Sequence, residues 1–186
     1  VASELITVLD DGTVPSKRGT AAMDDEGQQT RRTVLIERGI LRTYLSDRKH
    51  AAKLGIERSG NARRESFRHL PICRMTNTMI APGTSDPAEI VRSVKDGIFV
   101  KKMGGGQVDV VSGNFAFEIS ECYRIRDGTV AEPLRGATLV GQGPKLMIEI
   151  DMVGRDLGWS TGTCGKDDQA APVADAQPTI RIPSVV

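Results

Sequence analysis

The sequence predicts an α+β protein, mainly antiparallel β-sheet with two or three helices. Three observations carry that expectation. From Asn114 to Arg126, Phe115, Phe117, Ile119, Tyr123 and Ile125 alternate strictly, so they share one face of a strand. Arg38-Gly39 and Asp127-Gly128 are hairpin signals beside apolar runs. Only one segment carries a full set of helix signals: Asp86 as N-cap, Pro87 at the first position and Glu89 to complete a capping box. Many hairpins with few helices select antiparallel sheet.

The elements follow in order. Leu5 to Leu9 reads as a strand, closed by Asp10-Asp11-Gly12, and the polar stretch from Pro15 to Thr30 as an extended loop. Thr33 to Glu37 and Ile40 to Leu45 form a hairpin about Arg38-Gly39. Ser46 or Asp47 caps a short helix through Lys53, ended by Gly55. Gly60 to Pro71 has no period and reads as a loop; Arg74 to Ile80 reads as a strand. The Asp86 helix presents Ile90, Val91 and Val94 on one face and ends at Gly97. Ile98 to Lys101 leads into Gly104-Gly105-Gly106. Ala137 to Val140 is a strand, Pro144 starts a helix through Met152, and Thr179 to Ile182 is the last strand.

Length and composition bound the class. The 186 residues suit one domain spanning 1–186. Net charge is +1, which gives no sign of a nucleic-acid partner. Hydrophobic content of 39% with 26% charged residues reads as soluble and globular. No apolar run approaches the roughly 20 residues that cross a bilayer, so no membrane partner is expected. Three cysteines at scattered spacing make no disulfide framework, which points to a reducing cytoplasm. The chain opens on Val1-Ala2-Ser3-Glu4-Leu5 without an initiating Met, and it stops in the apolar run Arg181 to Val186. Both ends are expected to be truncations of a longer protein.

Several motifs occur in one order. They are Leu9-Asp10-Asp11-Gly12-Thr13 through Arg18-Gly19, Asp24-Asp25-Glu26-Gly27, and Gly60-Asn61-Ala62-Arg63-Arg64-Glu65-Ser66 with His69-Leu70-Pro71 and Arg74-Met75-Thr76-Asn77-Thr78. Then come Gly104-Gly105-Gly106-Gln107-Val108-Asp109, Arg135-Gly136-Ala137-Thr138-Leu139-Val140-Gly141 and Gly162-Thr163-Cys164-Gly165-Lys166. Together they resemble the C-terminal portion of the TldD/PmbA family, metallopeptidases also called modulators of DNA gyrase. The cysteine and triple-glycine motifs favour the TldD-type subunit. Departures are Asp167-Asp168 in place of an acid and a glycine, Ala174-Asp175-Ala176 in place of a more Gly-rich stretch, and Cys73 at a position that is often proline.

The resemblance implies a β-rich fold with helices at its periphery. It implies Cys164 as a zinc ligand, completed by two histidines of an upstream H-E-x-x-x-H helix that this sequence does not contain. It further implies zinc-assisted hydrolysis of unfolded peptides, and a related second subunit in a heterodimer, or else a homo-oligomer. Zinc would acidify its bound water and polarise the scissile carbonyl. The general base would be the glutamate of the missing helix, so no catalytic residue is assigned here. The alternative is a peptide- or partner-binding module without chemistry of its own.

The residues can also be read without the family. A lone cysteine is more often a small buried residue than a ligand. Flanked by glycines, Cys164 has a backbone free to bend, and Lys166 could help stabilise its ionised sulfur. His50 and His69 are the only histidines, read as a helix-surface and a hydrogen-bonded loop residue. His69 and Cys73 would share a helix face, but Pro71 lies between them. Gly104, Gly105 and Gly106 either hydrogen-bond an extended peptide as an added strand or make a tight connection. Glu121 breaks the alternating strand. It either lines a cleft, turns outward on a bulge or, as the favoured reading, pairs with an arginine. Arg58, Arg63, Arg64, Arg68 and Arg74 mostly brace loops; Arg64 and Arg74 are the exceptions expected to grip a peptide carboxylate.

Overall fold

Left-handed two-residue turns reverse the chain where the hairpin signals lie: Arg38 and Gly39 have φ of 47° and 78°, Asp127 and Gly128 of 46° and 75°. Both positions at positive φ match the twist of antiparallel strands. The computed structural model describes residues 1–183, so the expected apolar ending at Ser184, Val185 and Val186 lies outside the described residues. The strands are β1 (Val8–Asp11), β2 (Arg32–Glu37), β3 (Ile40–Leu41), β4 (Ala62–Arg63), β5 (Ile72–Cys73), β6 (Asn77–Ile80), β7 (Asp96–Val108), β8 (Asn114–Arg126), β9 (Thr129–Leu134), β10 (Ala137–Gln142), β11 (Met152–Val153), β12 (Gly158–Lys166), β13 (Gln169–Gln177) and β14 (Ile180–Arg181). Three helices accompany them: α1 (Arg48–Leu54), α2 (Pro87–Arg92) and α3 (Gly143–Glu149). The α+β, mainly antiparallel expectation is met.

The chain divides into two compact units. One comprises Thr7–Ala81 and Leu157–Gln177; the other comprises Val1–Ile6, Pro82–Asp156 and the residues from Pro178. The first unit holds a six-stranded sheet in the order β12-β13-β6-β1-β2-β3. Its one parallel pair is β13 with β6. Asp47 caps α1 by accepting from the His50 amide at 2.7 Å, and Gly55 ends the helix at φ 66°. Burial opposes ionisation of Asp47, but the His50 amide and ring hold its carboxyl below the usual range.

The second unit is organised by β8, which pairs with β7 on one edge and with β10 and β9 on the other. Its buried residues include Ile90, Cys122, Ile125 and Val153. Helix α2 ends at Ser93, a turn before the expected Gly97, which instead lies in β7 and pairs with Ile125 of β8. The Ser93 hydroxyl donates to the Ile90 carbonyl at 2.6 Å, and the β8–β9 turn claims the carbonyls of Val94 and Lys95. Helix α3 stops before Met152, which pairs with Arg181 instead.

The first unit's sheet has two unlike faces. Leu9, Met79 and Ala176 form an apolar cluster with Leu157 and Trp159. The opposite face carries Asp10, which is 1% exposed. One Asp10 oxygen accepts from the Thr76 amide at 2.8 Å and the Thr78 hydroxyl at 2.7 Å. The other accepts from Asn61 Nδ2 at 2.8 Å and the Thr76 hydroxyl at 2.5 Å. A buried carboxylate is tolerable only when its lone pairs are filled in this way. Replacing Asp10 with Ala strands donors of Asn61, Thr76 and Thr78, at a cost of about 3 kcal/mol or more. Chemical denaturation of the full-length protein checks this; a loss within about 0.5 kcal/mol, typical of surface changes, would show that the network does not hold the sheet.

Candidate functional site

Cys164 lies in β12, an edge strand of the six-stranded sheet, opposite Ala171 of β13. Its flanking glycines do not leave the backbone free to bend: the segment is paired throughout. The chain reverses at Asp167 and Asp168, with φ of 48° and 56°. This two-residue turn needs left-handed backbone at both positions, and aspartate is among the few non-glycine residues that adopt it. Alternation puts the Cys164 side chain on the face opposite Trp159, the same face as Asp10. The sulfur-bearing residue is half-buried.

Arg74 reaches that strand from below. It is 2% exposed, and its Nη2 donates to the carbonyls of Cys164 and, at 3.0 Å, Gln169. Its Nε and Nη1 are buried without a hydrogen-bond partner among the described residues. Arg74 therefore faces inward and braces both ends of the β12–β13 turn. Asn61 ties it to the Asp10 network, donating to the Arg74 carbonyl at 2.9 Å and accepting the Arg74 amide through its own carbonyl at 2.8 Å. Arg64 is half-exposed, with Nε 3.4 Å from Asp25, whose carboxylate also accepts the Arg64 amide at 2.9 Å. Of the remaining arginines, Arg58 pairs with Glu26 at 3.5 Å, Arg63 donates to the Met75 carbonyl at 2.8 Å, and Arg68 sits over the Phe67 ring.

Lys166 directs its ammonium to the Cys73 carbonyl at 3.1 Å, where the sequence suggested support for the Cys164 sulfur. Burial pushes the Cys73 thiol up to about 11. His50 Nδ1 lies 2.8 Å from Asp47, and His69 Nδ1 lies 2.9 Å from the Ser66 hydroxyl. Among the described residues, no group of three or more His, Cys, Asp or Glu side chains could hold a metal.

Gly104, Gly105, Gly106 and Glu121 belong to the second unit. The glycines are no connection between strands; they lie inside β7, itself an edge strand. Met103 opposes Ile119 and Gly106 opposes Phe117, so Gly104 and Gly105 together face Glu118 as a bulge. A side chain at Gly106 would strike the Phe117 ring. Glu121 pairs with a lysine where the sequence favoured an arginine: it accepts from Lys101 at 2.8 Å and the Tyr123 hydroxyl at 2.7 Å. These bonds, the Lys101 one foremost, hold its carboxyl below the usual range.

Sequence reading passed over a cleft of about 370 Å³ walled by Ser16, Lys17 and Arg18 and by Trp159, Ser160 and Thr161. Only the Arg18-Gly19 pair hinted at it; the contact of Lys17 with Trp159, so distant in sequence, left no local signal.

Two outcomes follow for the Cys164 strand and its neighbour. Arg74→Met should speed hydrogen exchange of the 164–169 segment about tenfold or more, since hydrogen bonds from a charged donor are lost. Unchanged exchange would deny Arg74 its bracing role. Because burial disfavours the thiolate, Cys73 at pH 8 should alkylate about a hundredfold more slowly than an ordinary thiol. Its rate should climb about tenfold per pH unit until near 11. Mass spectrometry after a timed alkylation reads both the rate and its slope.

The whole chain, residues 1–186, matches the family model of the PmbA/TldA metallopeptidase C-terminal domain. It is 44% identical over 187 residues to a metalloprotease TldD homolog of Haemophilus influenzae, covering 100% of this chain and 39% of that protein. It is 35% identical over 159 residues to a zinc metalloprotease TldD homolog of Saccharolobus solfataricus, covering 86% of this chain and 36% of that one. The chain thus spans well under half the length of these curated relatives. Among solved structures it resembles TldE from Thermococcus kodakarensis, with a TM-score of 0.71 at 24% identity over 96% of this chain and 40% of that chain. A Thermotoga maritima protein described as a modulator of a DNA gyrase superposes with a TM-score of 0.79 at 22% identity, over 99% and 39% of the two chains. Those two likenesses confirm the fold. A match over every residue, joined to close relatives of TldD type, places this chain in the PmbA/TldA metallopeptidase family as its C-terminal domain.

Proposed function

We propose that this chain is the C-terminal part of a zinc-dependent peptidase that hydrolyses unfolded peptides, with Cys164 as one zinc ligand. The observation that carries the reading is the placement of Cys164 on an edge strand whose main chain is pinned by a buried guanidinium. A ligand held on a rigid strand is preorganised. The outer edge of β12 has main-chain groups to offer an extended peptide beside the sulfur. The described residues alone do not close a zinc site. The remaining ligands and the general base therefore belong to the rest of the longer protein, and no hydrolytic step is assigned to a side chain of this chain.

Peptide contacts are proposed for the second edge strand too: the Gly104, Gly105 and Gly106 bulge offers close backbone approach, and Glu121 lies nearby on β8. Arg64, half-exposed, is kept as a carboxylate contact; Arg74 contributes from beneath the strand. A related second subunit of the same family is proposed as partner, in line with the likeness to TldE. Three free cysteines fit a reducing cytoplasm. Among the described residues, no helix is long and apolar enough to cross a membrane.

A second reading is a peptide- or partner-binding module without chemistry, favoured by the two edge strands β7 and β12. One experiment separates them. In the full-length protein, Cys164→Ser should weaken zinc binding by more than the 10–100-fold typical of outer-shell partners. Hydrolysis of an unfolded peptide should be abolished with it. Unchanged zinc stoichiometry and activity would remove Cys164 from the ligand set; peptide binding without zinc-dependent cleavage in the wild type would favour the module.

A further inference from the structure

The cleft beside β12 presents two cations, Lys17 and Arg18, with no carboxylate within ion-pair distance among the described residues. In the same unit Arg31, Arg42, Arg58 and Arg64 each have a carboxylate within ion-pair distance, whereas among the described residues Arg32, Arg38 and Lys49, like the two cleft cations, do not; Lys17 and Arg18 differ from those in lining one cleft. The Lys17 ammonium lies 4.3 Å from the Trp159 ring centroid, an arrangement that orients the cation without cancelling its charge.

The loop that carries them is built rather than loose. Gly19 is buried, and its amide donates to Asn77 Oδ1 at 3.0 Å. A side chain there would strike the Thr76 carbonyl, so glycine is required by close approach. The Thr20 amide closes back on the Lys17 carbonyl at 3.1 Å, and the Thr20 hydroxyl donates to the Val14 carbonyl. Ser16 has φ of 59°. Lys17 and Arg18 thereby line the cleft beside the strand that bears Cys164.

The geometry points to a subsite that takes one acidic side chain, aspartate or glutamate, of a peptide lying along β12, with its carboxylate on Lys17 and Arg18 and its methylenes against Trp159. This rests on the reading above that an extended peptide binds this edge. The cleft volume, about 370 Å³, suits a side chain or short segment. A polyanion would need a longer basic track, and the chain's net charge is only +1. Trp159 and Cys164 are five positions apart along β12, about 17 Å at strand rise. The preferred acid therefore lies about five residues from the bond that would be cleaved. Because Trp159 and Cys164 occupy opposite faces, the cleft selects a side chain and leaves the reacting main chain alone.

The test uses the full-length protein stripped of metal with a chelator, so that binding is read without cleavage. Labelled unfolded peptides carrying a single Glu at successive positions are compared with their Gln counterparts by fluorescence anisotropy. At one register the Glu peptide should bind about fivefold tighter at low salt, a preference that shrinks toward unity near 1 M salt. The double variant Lys17→Gln, Arg18→Gln should bind the two peptides equally, whereas Lys17→Arg should keep the preference; thermal melting confirms that each variant folds. Equal affinities at every register, no binding of either peptide, or a preference that survives the double substitution would overturn the subsite. A Glu preference in a protein that binds no zinc through Cys164 would uphold the subsite and sink the peptidase reading. Zinc-dependent cleavage with no Glu preference would do the reverse.

Discussion

The first unit depends on one buried charge. Asp10 sits in the middle of β1 with almost no solvent contact, so its oxygens must be filled from within. The donors come from β6 and the segment just before it, and from Asn61, distant in sequence. That requirement seats β6 beside β1 and draws the Gly60-Asn61-Ala62 segment inward. Asn61 then holds the Arg74 backbone, and Arg74 holds Cys164 and Gln169. Each link is polar, buried and specific in direction, whereas the apolar face could accept many packings.

The cysteine lies on this polar face and not on the apolar one. On the proposed reading of Cys164 as a zinc ligand, hydrophobic neighbours that can shift would offer it little. It gains from a main chain fixed by hydrogen bonds at both ends of a tight turn. The buried donors of Arg74 that have no partner among the described residues are costly. That cost is offset by anchoring two carbonyls, one on each side of the β12–β13 turn. On the apolar face, by contrast, Leu9, Met79 and Ala176 seat Trp159 at the edge of the sheet.

Much of the fold was legible because local rules agreed with the final structure. β8 runs from Asn114 to Arg126 as its alternation indicated. Asp47, Gly55, Asp86 and Pro87 mark helix ends as expected, and both hairpin turns lie where their dipeptides placed them. Strands β12 and β13 were not legible. Gly162 and Gly165 interrupt one, and Pro172 with four alanines dilutes the other, so neither reads as a continuous strand. Pairing with each other over their full length makes them strands. Pro172 sits where β13 has no β6 partner, a position where a missing amide is tolerated.

The sequence by itself determined the family, through motifs in order, and with it the identity of Cys164 as the residue of interest. It also determined the fold class, because hairpin dipeptides and a period of two are local properties. Tertiary structure alone decided what surrounds Cys164. Arg74 was read as a hand for substrate and is a buried brace; Glu121 found Lys101 in place of an arginine; Lys166 went to the Cys73 carbonyl. Lys17 met Trp159 across most of the chain. The reason is common to all four. A charged side chain takes the partner that sheet register and burial bring within reach, and register between distant strands is set by the whole sheet rather than by its neighbours in sequence.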